Sequence, residues 1–153
     1  MALVLSVIIP SADGADPLQR LLAALVPAAV DGLVRDVLLV GAADAACDQL
    51  CEDSGVVRAG DMTAAARSAR SDRILVLPAS VRLAHDWQDA MKRHLGRAPV
   101  GGVLPGQADG LAERLRGAAY GVLTTRERIL EAGEGATIAS LRRDLGRMAA
   151  RIR

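Results

Sequence analysis

The chain has 153 residues and a mass of 15.9 kDa, which suits one domain spanning residues 1–153 and leaves little room for a second. Hydrophobic residues make up 51% and charged residues 24%; disorder and collagen-like repeats are excluded. Lys and Arg number 19 against 18 Asp and Glu, a net charge of +1, so the overall electrostatic footprint of a nucleic-acid binder is absent. With no Phe, and with Trp87 and Tyr120 as the only aromatics, the core must be aliphatic.

Short apolar runs alternate with helical patterns. Residues 3–10 (LVLSVIIP) are β-branched, nearly continuous and closed by Pro10, as in a strand covered on both faces. Residues 16–30 carry Leu18, Leu21, Leu22 and Leu25 at helical spacing behind Pro17, with Asp16 as the expected cap. A second strand is expected at 36–41, a short helix at 44–53 stopped by Gly55, and a third strand at 55–58. An Ala-rich helix at 61–70 precedes a fourth strand at 73–77, again ended by a proline, Pro78. A helix follows at 85–95, a strand start at 101–104, a weakly helical stretch at 106–117, a strand at 120–124 and a helix at 126–132. Residues 136–152 read as one terminal helix. Strands alternating with helices of this length predict an α/β fold, with a mostly parallel, Rossmann-like sheet and helices on both faces. Ligands then bind outside the carboxyl ends of the strands, at the loops 11–16, 41–44, 59–61 and 78–82.

The first apolar run is too short for a bilayer, which needs about 20 residues. It also lacks a basic flank and a small-residue cleavage site. Two cysteines do not make a secreted disulfide framework. The expected location is the cytoplasm, with peripheral attachment at the inner membrane face as an open alternative.

At the ligand-binding loops the sequence resembles the family 2 glycosyltransferases, which have the nucleotide-sugar-binding GT-A fold. Residues 6–25 (SVIIPSADGADPLQRLLAAL) are similar to that family's first strand, SVIIPxxNE, and the helix after it. Residues 36–44 (DVLLVGAAD) resemble its second strand. Residues 58–83 (RAGDMTAAARSARSDRILVLPASVRL) match, without a gap, its basic turn, its helix, the Asp before the next strand, and the strand that leads into the DxD metal motif. Arg58 falls on the basic residue and Asp72 on that Asp. The segments 121–133 and 140–147 are similar to the family's later Arg-rich stretches.

The resemblance implies binding of a nucleotide or nucleotide sugar by Pro10, Ser11, Asp13, Asp44, Arg58 and Ser80. It also implies a divalent metal on the DxD carboxylates, but those positions read Pro78-Ala79-Ser80, and Ser80 offers only a hydroxyl. The base-contacting Asp of the second loop is Gly41 or Ala42, with Asp44 just beyond. The family's Asn is Asp13 and its following Glu is Gly14; the helix Asn is Thr63. The carboxylate pair that supplies the general base is replaced by 135–139 (GATIA), with only Glu134 nearby. Losing metal ligands and base together removes both stabilisation of the leaving diphosphate and proton abstraction. No catalytic residue and no metal ligand is therefore assigned.

Cys47 and Cys51 share a helix face at i and i+4, and the expectation is two small buried apolar residues rather than a metal or redox pair. His85 and His94 are nine residues apart and are expected to be solvated. Gly101, Gly102 and Gly106 fit no phosphate-loop pattern and are expected in turns. In the terminal helix Ile138, Leu141, Leu145, Met148 and Ile152 form an apolar stripe beside Arg142, Arg143, Arg147, Arg151 and Arg153.

Three readings follow. In one, the chain is a glycosyltransferase-like domain without metal-dependent sugar transfer that still accepts a nucleotide. In another it is a metal-independent transferase, with Arg58, Arg82 and helix N-terminal amides neutralising the diphosphate and Asp13, Asp44 or Glu134 as base. In the last, the working part is the basic terminal helix, which docks on an anionic membrane surface or a partner protein. Separately from these readings, a homodimer is an expected way of completing the short core.

Overall fold

The computed structural model describes residues 4–41, 44–97 and 101–153. Every residue of β1 (Leu5–Ile9) is buried, as a nearly continuous run of apolar and β-branched residues requires, and its one polar member, Ser6, donates its hydroxyl to Asp36 Oδ1. It is followed by α1 (Ala15–Val30), β2 (Val34–Val40), α2 (Ala45–Ser54), β3 (Val57–Ala59) and α3 (Met62–Ser68). The second half contains β4 (Arg73–Val76), α4 (Trp87–Gly96), β5 (Gly102–Pro105), α5 (Leu111–Arg116), β6 (Tyr120–Thr125), α6 (Arg126–Ala132) and α7 (Ile138–Leu145). The sheet order is β3-β2-β1-β4-β6-β5. β3, β2, β1 and β4 run parallel, and β6 is antiparallel to both β4 and β5. This is the mostly parallel α/β architecture that the alternation predicts.

Side-chain alternation divides the core in two. Leu5, Val7 and Ile9 of β1, Leu39 of β2 and Leu75 of β4 pack with Leu18, Leu21 and Leu25 of α1, Cys47 and Cys51 of α2, and Trp87 and Met91 of α4. Ile8, Leu38, Val40, Ile74, Val76 and Val122 face the other way, onto Met62 and Ala65 of α3, Ile129 of α6, and Leu141 and Leu145 of α7. The period of two thus gives each central strand two buried faces. β4 and β6 approach closely at Gly121, where a Cβ would sit 2.5 Å from Cδ2 of Leu77.

Polar residues close the helix ends. The carboxylate of Asp44 accepts the Cys47 N–H at 2.8 Å, and Gly55 ends α2 in the left-handed region at φ 75°. Asp61 caps α3 through the Ala64 N–H at 2.7 Å. Thr137 and Ser140 form a reciprocal capping box on α7. Asp16 is not the cap of α1: the helix begins one residue before it, behind Gly14, and Asp16 sits in the first turn, where a carboxylate suits the macrodipole.

Gly102 opens β5 and does not lie in a turn, and two further expectations are corrected. The terminal helix does not run over 136–152. It ends at Leu145, because Gly146 turns at φ 53°, and a single 3₁₀ turn (Gly146–Met148) follows. The chain then lies parallel to β5, with Val103 N–H donating to the Ala150 carbonyl and Ile152 N–H to the Val103 carbonyl, both at 2.8 Å. Ile152 is buried on the α1/α4 side of the sheet, whereas Leu141 and Leu145 are buried on the opposite side. The sequence stripe therefore wraps the sheet edge, and its main members are covered by the domain itself. His94 is the second correction. It is buried, because its Nε2 lies 2.9 Å from the Gly101 carbonyl and the ring's polar edge is satisfied there. His85 is exposed, as expected. Cys47 and Cys51 are free and buried, and burial pushes both thiols up. None of the described helices is long and apolar enough to cross a membrane.

Candidate functional site

The segment after β1 turns sharply. Asp13 adopts φ 54° and Gly14 φ 104°, a left-handed step that Asp tolerates better than most residues. The turn leaves Ser11 and Asp13 exposed at the carboxyl end of β1, with the Ser11 hydroxyl 3.4 Å from Asp13 Oδ1. Beside them open the ends of β2, β3 and β4. Together they frame a cavity of about 550 Å³, lined by Pro10, Ser11, Asp13, Asp61, Pro78 and, from the approach to α7, Glu134 and Thr137. Val40, Met62 and Ile138 add apolar wall. This is the place where an open parallel sheet binds its ligands.

The cavity is acidic. Asp13, Asp61 and Glu134 all line it, and among the described residues no Lys, Arg or His does. Asp61 is partly engaged, since it accepts the Ala64 N–H and the Thr63 hydroxyl, each at 2.7 Å. The Ala64 N–H in particular holds its carboxyl below the ordinary carboxylate range. Carboxylates and the Ser11 and Thr137 hydroxyls suit the hydroxyl groups of a ribose or a sugar, and the Pro, Val, Met and Ile surfaces suit a flat base. A phosphate placed among three carboxylates would be repelled.

Positive charge lies on the other side of the loop after β4. A second cavity, about 310 Å³, is lined by Arg20, Ser80, Arg82, Asp109, Glu113 and Arg116, with Pro17 and Ala112. Arg82 pairs with Asp109 at 3.0 Å. Pro78 lines the first cavity and Ser80 the second, so the two are joined by two residues of chain, roughly 7 Å at full extension.

The structure thus brings Pro10, Ser11 and Asp13 together, places Ser80 in the neighbouring cavity, and leaves two residues aside. Asp44 is committed to the cap of α2, whose Cys47 N–H lowers its pKa. Arg58 pairs with Asp48 and donates to the Gly41 carbonyl at 2.7 Å, which ties β3 to α2 and β2. Neither lines the cavity at the strand ends. Ala42, the alternative to Gly41 as the base-contacting position, lies outside the described residues. Asp72 sits at the opposite, amino end of β4 and pairs with Arg126 at 3.2 Å, beside a separate cavity of about 860 Å³. Asp61 lines the cavity from the 59–61 loop that strand order marks as a ligand site, although the family resemblance implies no contact for it. Its signal was present, an acid at the carboxyl end of a strand before a helix.

A divalent cation does not fit the position where the DxD motif would stand. Pro78 and Ala79 have no donor side chain, and Ser80 opens onto the other cavity. Among the described residues no group of three or more His, Cys, Asp or Glu is placed to hold a metal.

No protein-family model matches the sequence, and no curated protein matches it either. Solved structures do match the fold. Glucosyl-3-phosphoglycerate synthase from Mycobacterium tuberculosis, in complex with uridine diphosphate, superposes with a TM-score of 0.63 at 15% identity, over 97% of this chain and 69% of that one. The same enzyme with Mn²⁺, uridine diphosphate and glucosyl-3-phosphoglycerate gives 0.63 at 15% identity, over 97% and 68% of the two chains. A 4-diphosphocytidyl-2C-methyl-D-erythritol synthase gives 0.66 at 18% identity, over 100% of this chain and 90% of that one. At this identity the likeness is one of fold: a Rossmann-like α/β domain of the GT-A-like kind, shared with nucleotide-sugar transferases and a nucleotidyltransferase.

Proposed function

We propose that this domain is a nucleotide or nucleotide-sugar binding relative of the family 2 glycosyltransferases that does not carry out metal-dependent sugar transfer. The observation that carries the reading is the cavity at the carboxyl ends of β1–β4, built from the loops in which the sequence resembles that family. The nucleoside or sugar hydroxyls meet Asp13, Asp61, Ser11 and Thr137, and the base lies on the apolar wall. The phosphates lead away from the carboxylates, past Pro78, toward Ser80 and the guanidinium of Arg82. Diphosphate binding then needs no cation bridge, which agrees with the loss of donor side chains at residues 78–79.

One observation favours a second reading. Glu134 and Asp13 line the same cavity, so a carboxylate is available to take a proton from an acceptor hydroxyl, as a metal-free transferase requires. Release of nucleoside diphosphate from UDP-, GDP-, CDP- and dTDP-sugars, followed with and without manganese, separates the two. Absence of turnover above the spontaneous rate is expected. Turnover that collapses in Glu134→Gln would install the metal-free transferase instead, and manganese-dependent turnover would overturn both.

A further inference from the structure

The C-terminal tail closes a further cavity, about 620 Å³, between α4, the end of β5 and residues 151–153. None of its lining residues belongs to the cavity at the strand ends or to the one edged by Arg20 and Arg82. Trp87, Ala90, Leu104 and Ile152 form its wall, and all four are buried parts of the domain. The wall is fixed on both sides. Trp87 and Ala90 stand on α4, and Ile152 is held by its N–H, which donates to the Val103 carbonyl of β5 at 2.8 Å. An apolar hollow of this size, with a few polar groups at its edge, suits a small molecule.

The edge is basic. Arg93, Arg151 and Arg153 line it, against one carboxylate, Asp86. Asp89, also on α4, does not line the cavity. Arg93 Nε donates to the Arg153 carbonyl oxygen at 3.3 Å, which ties Arg93 to the tail. Among the described residues none of these three arginines forms an ion pair, whereas Arg58, Arg82 and Arg126 each sit on an aspartate. Three guanidiniums against one carboxylate leave an excess of two positive charges. A phosphate monoester carries about −1.5 to −2 charges at neutral pH and three acceptor oxygens, which matches that excess. Guanidinium forks take phosphate oxygens two at a time, and an aromatic or branched apolar body lies against Trp87 and Ile152.

We infer that the cavity between α4 and the tail is a binding site for a small phosphate monoester with an apolar or aromatic body. Its cations come from two places far apart in sequence, and the pairing of the tail with β5 brings them together. Arg151 and Arg153 thereby leave the basic helix face that spacing predicts and join the edge of a cavity. The inference stands apart from nucleotide binding, because the two use different residues.

Trp87 is the chain's only tryptophan, so its emission, excited where Tyr120 does not absorb, reports on this wall. The test is titration of the full chain with phenyl phosphate, inorganic phosphate and phenol, followed by that emission and by calorimetry. Phenyl phosphate should bind saturably at millimolar concentration or below and change the emission. Inorganic phosphate should bind at least about tenfold more weakly, and phenol should not bind. Arg151→Gln with Arg153→Gln should weaken phenyl phosphate at least about tenfold. Both side chains are exposed and in no ion pair among the described residues, so this variant should keep the wild-type melting temperature. Vesicles containing phosphatidic acid present the same phosphate on a lipid and should leave the emission unchanged. Each of the following results overturns the inference: no saturable response to phenyl phosphate in emission or heat; equal affinity for inorganic phosphate or for phenol; phenyl phosphate binding that the tail variant keeps, whether or not Arg82→Gln removes it; or a response to the vesicles in place of the soluble ester.

Discussion

At the scale of single residues, the carboxylates divide into those that hold the backbone and those that face the cavity. Asp44 and Asp61 belong to the first group, although Asp61 also lines the cavity. Backbone N–H groups stabilise their ionised forms, so both folded pKa values lie below the ordinary value. A depressed carboxyl pKa contributes stability that is present above the unfolded value, about pH 4, and lost as pH falls through the folded one. Urea unfolding across the acid range should therefore show a declining midpoint below about pH 4. Asp44→Asn with Asp61→Asn keeps a cap acceptor but cannot titrate, and should flatten that decline. Asp13 belongs to the second group. It holds a left-handed conformation that glycine adopts freely, so Asp13→Gly removes the carboxylate without asking for a new backbone.

At the scale of elements, the C-terminal segment is the feature least readable from the chain. Ile138, Leu141, Leu145, Met148 and Ile152 keep helical spacing, and spacing alone predicts one helix. Gly146 breaks it, and the tail then pairs with β5 through backbone groups that leave no mark in the sequence. Ile152 closes the edge of the sheet, buried on the α1/α4 side with Trp87 and Leu95 in the same cluster. Ile152→Ala should cost about 2–4 kcal/mol of unfolding free energy in chemical denaturation. The same substitution at exposed Val30 should cost little, because it empties no packed space. That α5 turns Leu111 and Leu115 outward was hidden for a related reason. A helical pattern says that two faces differ, but which face turns inward depends on what lies beneath, and here that is a cavity edged by Arg20 and Arg82. The burial of His94 is not legible in the sequence, because its partner is the Gly101 carbonyl, which no side-chain pattern reveals. By contrast, β1, β4 and the apolar half of β2 were legible because strands buried on both faces need nearly continuous apolar runs; the first residues of β2, Val34 and the exposed Arg35, fall outside that pattern. The ends of α2 were legible because Asp44 and Gly55 answer local backbone demands.

At the scale of the whole molecule, one sheet presents the ends of β1, β2, β3 and β4 to a common cavity. The loops at 10–13 and 60–62 were legible as a site from strand order alone, since ligands in such sheets bind at the carboxyl ends. That Glu134 and Thr137 complete the wall was not, because they arrive from a segment more than 50 residues after β4. In the proposed reading the acidic cavity takes the hydroxyl-rich part of the ligand, and the cavity edged by Arg20, Arg82 and Arg116, beyond Pro78–Ser80, takes its anionic part. Calorimetric titration of the chain with UDP, CDP, GDP and dTDP, in chelator and again with manganese, tests this most directly, with Asp13→Gly as the companion variant. The account predicts saturable binding of one nucleotide that is the same in chelator and in manganese, raises the melting temperature by mass action, and falls at least tenfold in Asp13→Gly while that variant folds like wild type. Binding that appears only with manganese, or no binding at millimolar nucleotide, would contradict it.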